Sequence, residues 1–165
     1  MIQLTSLTMN ELLSQIRPDG SVEKWAKAVC SVISHITESS LTVFYKLPKT
    51  QTNQINKSGW LYLHAKIGHT TAPKRIPAGA EFLQAAAYSD SAVVQNNPSG
   101  PFSHLLLNSE MQSGIAVLLG EKAPYRGLLI ANYSAPYHYN GATIKLFEHL
   151  RTIVKFTPQN SGGKT

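Results

Sequence analysis

Apolar positions along this 165-residue chain recur with two different periods, and their order predicts a sheet flanked by helices. Leu12, Leu13 and Ile16 share one side of a short amphipathic helix over 8–17, which Pro18-Asp19-Gly20 breaks. Ser21 is a good N-cap for a second helix, where Val22, Trp25, Val29, Ile33 and Ile36 form one apolar stripe with Cys30 beside it. Residues 41–47 and 60–67 are rich in β-formers and read as strands. In the second, strict alternation places Leu61, Leu63, Ala65 and Ile67 on one face and Trp60, Tyr62, His64 and Lys66 on the other, with Gly68 as its end. The polar stretch 48–59 between them reads as a long hairpin loop.

The middle of the chain has a mixed pattern. A basic, Pro-containing loop over 69–77 leads to an Ala-rich short helix over 78–88 and a short strand over 92–96. Asn97-Pro-Ser-Gly-Pro is a turn, and 102–110 is expected to form another short helix with Phe102, Leu105 and Leu106 inward. Residues 113–119 and 125–133 are two nearly continuous apolar runs joined by a short connector. They predict an antiparallel hairpin, central and covered on both faces. A final helix over 142–156 points Ile144, Phe147, Leu150, Ile153 and Val154 at the core, and 157–165 reads as a flexible tail. A middle section lying between two strand pairs is where such a fold would enclose a ligand.

Three stretches resemble one family. Ile76-Pro-Ala-Gly followed by Ser91-Ala-Val-Val-Gln-Asn is similar to a glycine-bearing helix leading into a short strand. Ser113-Gly-Ile-Ala-Val-Leu-Leu is similar to a strand of the form serine, apolar, proline-leucine. Tyr125-Arg-Gly-Leu-Leu-Ile-Ala-Asn is similar to an isoleucine-glycine-valine-leucine strand. Together they resemble the GAF domain, the small sensor module of cyclic-nucleotide phosphodiesterases, phytochromes, histidine kinases and bacterial regulators. The sequence departs from the pattern at Val117-Leu118, where a proline is common. The resemblance implies an α+β, profilin-like domain of three layers. Its central antiparallel sheet has five to six strands, with terminal helices on one face and a pocket-forming middle section on the other. Residues 21–156 would form this domain, after an N-terminal helix and linker over 1–20. The family also implies a homodimer through the terminal helices, 8–37 and 142–156.

Composition narrows the chemistry. The net charge is +6, but the basic residues are scattered without a run of five, so neither a nucleic-acid arm nor a patch is expected. No apolar stretch approaches a membrane span, and the first residues lack a secretory pattern, so the expected location is the cytoplasm. Asn56-Lys-Ser and Asn132-Tyr-Ser match the glycosylation sequon and are read as chance. Cys30 is the single cysteine. It cannot form an internal disulfide, and it lies outside the middle section where bilin-binding members carry theirs. Covalent bilin and the family's free methionine-sulfoxide reductase chemistry are therefore not expected.

The six histidines show no paired metal-ligand spacing; His104 is placed where an axial haem ligand would sit, but reads as a solvent-facing histidine. The cyclic-nucleotide signature and a G-x-S-x-G elbow are absent, and Pro158 occupies the first glycine position of a P-loop ending at Gly163-Lys164-Thr165. No cofactor is named by the sequence. The expectation is a non-catalytic regulatory or sensor domain that binds a small molecule. Tyr62, Phe82, Tyr88, Asn96, Phe102, His104 and Asn108 are expected around the ligand, and a downstream regulator or fused output domain would read the bound state. The alternative is a ligand-free protein-interaction domain that uses the 136–139 and 74–75 loops. An enzyme ranks last.

Overall fold

A computed structural model describes residues 22–46, 59–88, 92–119, 127–136 and 141–153. The expected helix over 8–17, most of the 48–59 loop and the C-terminal tail lie outside them. The elements run α1 (Val22–Thr37), β1 (Leu41–Lys46), β2 (Trp60–Gly68), β3 (Arg75–Pro77), α2 (Glu81–Tyr88) and β4 (Val93–Gln95). A 3-10 turn (Ser103–Leu105), β5 (Ser113–Leu119), β6 (Gly127–Tyr133) and α3 (Gly141–Ile153) complete them. The fold is α+β, with one six-stranded sheet in the order β3-β2-β1-β6-β5-β4. Every pairing in it is antiparallel.

All residues of β5 and β6 are buried, so both faces of that hairpin are covered as the continuous apolar runs require. The centre of the sheet is the β1–β6 pair, and β5 lies one strand further out. Side chains alternate between two cores. Phe44, Ile115, Val117, Leu119, Leu129 and Ala131 face α1 and α3, where they meet Trp25, Val29, Cys30, Ile33, Leu146, Phe147 and Leu150. Leu41, Val43, Tyr45, Ala116, Leu118, Leu128 and Ile130 face the opposite layer, where Phe82, Leu83, Leu105 and Met111 pack on them. That layer, built from the described residues of 69–88 and 96–112 outside the strands, is the roof. On the helix side the Trp25 and Phe44 rings meet edge to face, with centroids 5.3 Å apart.

The strict alternation expected of β2 does not hold. Phe44 pairs with Ala65 and Tyr45 with Leu63, so His64 is an extra residue in β2. Such a bulge reverses the facing of everything beyond it. Leu61 and Leu63 accordingly join the roof-side core, while Ala65 and Ile67 join the helix side. His64 Nδ1 lies 3.2 Å from Glu23 Oε2 of α1, which ties the bulge to the helix. Gly68 closes the strand at φ +136°, a conformation that a side chain disfavours.

Three further expectations change. The basic loop contains a short edge strand, β3, which its three residues and terminal Pro77 hide from pattern reading. The helix expected over 102–110 is a single 3-10 turn, because Leu106 is already extended at φ −83°, ψ 113°. In α3 Leu146 joins Phe147 and Leu150 in the core, and Ile144 is half-buried.

Phe44→Ala should destabilise the fold by about 3–5 kcal/mol, since it removes a fully buried ring from the helix-side core. Urea unfolding followed by circular dichroism would measure the loss.

Candidate functional site

The roof is held to the sheet by side chains that reach backbone groups. Asn132, fully buried in β6, accepts the Leu107 N–H at 2.8 Å and donates to the Leu105 carbonyl at 3.0 Å. Both bonds use groups that a continuing helix would have paired, which is why the 3-10 turn stops where it does. Gly114 makes room for this clamp: a Cβ there would lie 2.5 Å from Leu105 Cδ2 and 2.7 Å from Asn132 Nδ2. Gln95, buried in β4, donates to the Asn97 carbonyl at 2.7 Å and accepts the Phe102 N–H at 3.0 Å, which fixes the turn between them.

The loop after β2 is tied down from two directions. The Tyr45 hydroxyl donates to the Pro73 carbonyl at 2.6 Å, and Asn108 Nδ2 donates to the Thr71 carbonyl at 2.8 Å. Asn108 Oδ1 also accepts the Glu110 N–H at 2.8 Å. Residues 71–73 and 105–110 thus form one stretch of roof, bridged over the sheet.

Of the expected ligand residues, Asn96, Phe102, His104 and Asn108 all lie on the segment between β4 and β5. Asn96 and His104 are exposed, while Phe102 and Asn108 are half-buried. Phe82 is wholly inside the roof-side core, where it fills space between α2 and the sheet. Tyr62 does not join this group. It alternates with Leu61 and Leu63, which face the roof, so its own ring projects from the helix side of the sheet and is 49% exposed. The side chain of Tyr88 lies outside the described residues. Sequence reasoning missed Asn132 and Gln95, the two buried amides that shape the roof. The signal for Asn132 is a single polar residue inside the apolar run of β6, which also matches a glycosylation sequon.

Cys30 sits on α1 in the helix-side core and is fully buried. Burial pushes its thiol far above the ordinary range, so it carries no thiolate at neutral pH. The sheet separates it from the roof. Burial also raises the Tyr45 and Tyr133 hydroxyls. Among the described residues no group of three His, Cys, Asp or Glu lies together as a metal site. No described helix is long and apolar enough to cross a membrane.

No protein-family model and no curated protein matches the sequence. Solved structures do. Free methionine-R-sulfoxide reductase from Neisseria meningitidis, solved in complex with its substrate, is 20% identical; the match covers 89% of this chain and 83% of that one at TM-score 0.69. The fRMsr of Staphylococcus aureus in complex with substrate is 17% identical, covering 94% and 97% at TM-score 0.68. The GAF domain of an Acinetobacter phosphoenolpyruvate-protein phosphotransferase is 15% identical, covering 89% of each chain at TM-score 0.64. The fold is GAF-like. This corrects the expectation of a non-catalytic sensor, because this GAF-like fold is shared with free methionine-R-sulfoxide reductases as well as with the GAF domain of a phosphotransferase. The cysteine count excludes an internal disulfide and nothing more, so it never excluded catalysis.

Two outcomes follow. Asn132→Leu should cost about 2–5 kcal/mol, because it leaves one carbonyl and one N–H buried without partners; denaturant titration measures this. Unfolding stability should also fall as pH rises above about 8.5, where the unfolded thiol ionises and the native one does not. The Cys30→Ala variant should lose that part of the slope.

Proposed function

We propose that this domain is an enzyme acting on a small polar molecule held at its roof, of the class of a free amino acid whose thioether is oxidised to the sulfoxide. The observation that carries this reading is the agreement over 89% and 94% of the chain with two reductases solved with their substrates. The build of the roof supports it. Loops anchored by buried amides, with polar side chains on their outer rim, suit the placing of hydrogen-bonding groups around a ligand.

The reaction reduces sulfur and releases its oxygen as water. Two thiols give up two electrons and two protons and become a disulfide, while the sulfoxide becomes a thioether. Cys30 is not the attacking thiol in this reading, since it is buried on the other side of the sheet with its thiol protonated. An external dithiol supplies both electrons, which places the protein in a reducing compartment such as the cytoplasm. The chain's part is to hold the sulfoxide oxygen and pass a proton to it as it leaves. In this reading His104 is the proton carrier of the right type at the roof, and Asn108, four residues on, is the amide donor.

Incubation with free methionine-R-sulfoxide and dithiothreitol, with methionine quantified by chromatography, should show protein-dependent product. The rate should survive in Cys30→Ser and fall at least tenfold in His104→Ala, at the low end of what a lost general acid costs. Absence of product, or its complete loss in Cys30→Ser, would sink this reading.

A further inference from the structure

Beside the N-terminal end of α1, the helix-side face of the β2–β3 wing carries a row of side chains that the roof site does not use. Lys46 of β1 lies opposite Tyr62 of β2, and Tyr62 lies opposite Arg75 of β3, so the three stand in line across three strands. Trp60 is the next residue along that face. The Arg75 guanidinium carbon sits 3.9 Å from the centre of the Trp60 ring. Trp60 and Tyr62 are the large hydrophobic side chains exposed among the described residues. Among the described residues neither Lys46 nor Arg75 is in an ion pair; the nearby acid, Glu23, is engaged by His64.

We propose that this row is a docking surface for an acidic polypeptide segment of a partner protein. Two cations without an acidic partner among the described residues flank a phenol and form a positive, donor-rich strip on a chain whose net charge is already +6. Arg75, laid over the indole, keeps the N–H edge of its guanidinium free to grip a carboxylate with two hydrogen bonds. Aromatic residues with arginine are also the side chains that most often anchor protein contacts. Strand side chains stand up from the sheet, so Tyr62 offers an edge and a hydroxyl rather than a flat platform. That geometry favours carboxylates over stacked bases. The partner engages side chains and does not extend the sheet, because β3 is three residues long and ends in Pro77, which lacks an N–H.

The test is fluorescence anisotropy of a short labelled poly-glutamate peptide interleaved with tyrosine, titrated with the full chain. Binding should weaken with salt and fall by about tenfold or more in the Lys46→Glu, Arg75→Glu double variant, with thermal unfolding unchanged. Trp60→Ala should weaken it separately, with charge intact. No binding, binding indifferent to the charge reversal, or tighter binding of a single-stranded oligothymidine in the same titration would each overturn the proposal.

Discussion

Both faces of the central strands must be covered, and the rest of this structure follows from that constraint. β5 and β6 are buried along their whole length, and β1 is buried at five of its six positions. Leaving either face wet would expose several large apolar side chains at once, each worth about 1.5–3 kcal/mol of burial. The chain solves this by division of labour. Its flanking helices α1 and α3 cover one face, and its middle covers the other. The two covers differ in kind. The helix layer packs by apolar stripes, whereas the roof is mostly irregular backbone and needs polar partners for its N–H and C=O groups. Asn132 and Gln95 supply them from inside the sheet.

That difference makes the roof the place where chemistry can be arranged. A backbone that hydrogen-bonds to buried amides is free of helical or strand geometry and still rigid. Side chains on it, such as His104 and Asn108, can be held at set positions without a regular element beneath them. The helix side offers no such freedom, and the single cysteine of the chain, Cys30, is sealed there.

The bulge at His64 links the two faces. By reversing the facing of β2 halfway along, it sends Ala65 and Ile67 under α1 while Leu61 and Leu63 stay under the roof. The same register leaves Trp60 and Tyr62 on the helix-side face of the sheet, exposed beside Arg75. One inserted residue thus brings His64 to Glu23 of α1 and sets the composition of the exposed wing.

The local pattern determined five of the six strands, the α1 stripe, the β5–β6 hairpin and the arrangement of helices against sheet. Each of these rests on a periodicity that residues a few positions apart display together. What only the tertiary structure decided rests on contacts between distant residues. The 102–110 segment has helical apolar spacing, yet Asn132, more than 20 positions away, takes its carbonyl and N–H and stops the helix after one turn. The β2 bulge depends on register with β1, so alternation within β2 alone assigned Ala65 and Ile67 to the wrong side. Phe82 and Tyr62 looked like pocket residues by type; one is packed inside the roof-side core, and the other projects from the opposite face. Residue type and local spacing carry the period of an element. They do not carry which distant polar group will satisfy its backbone, and that choice shaped the site.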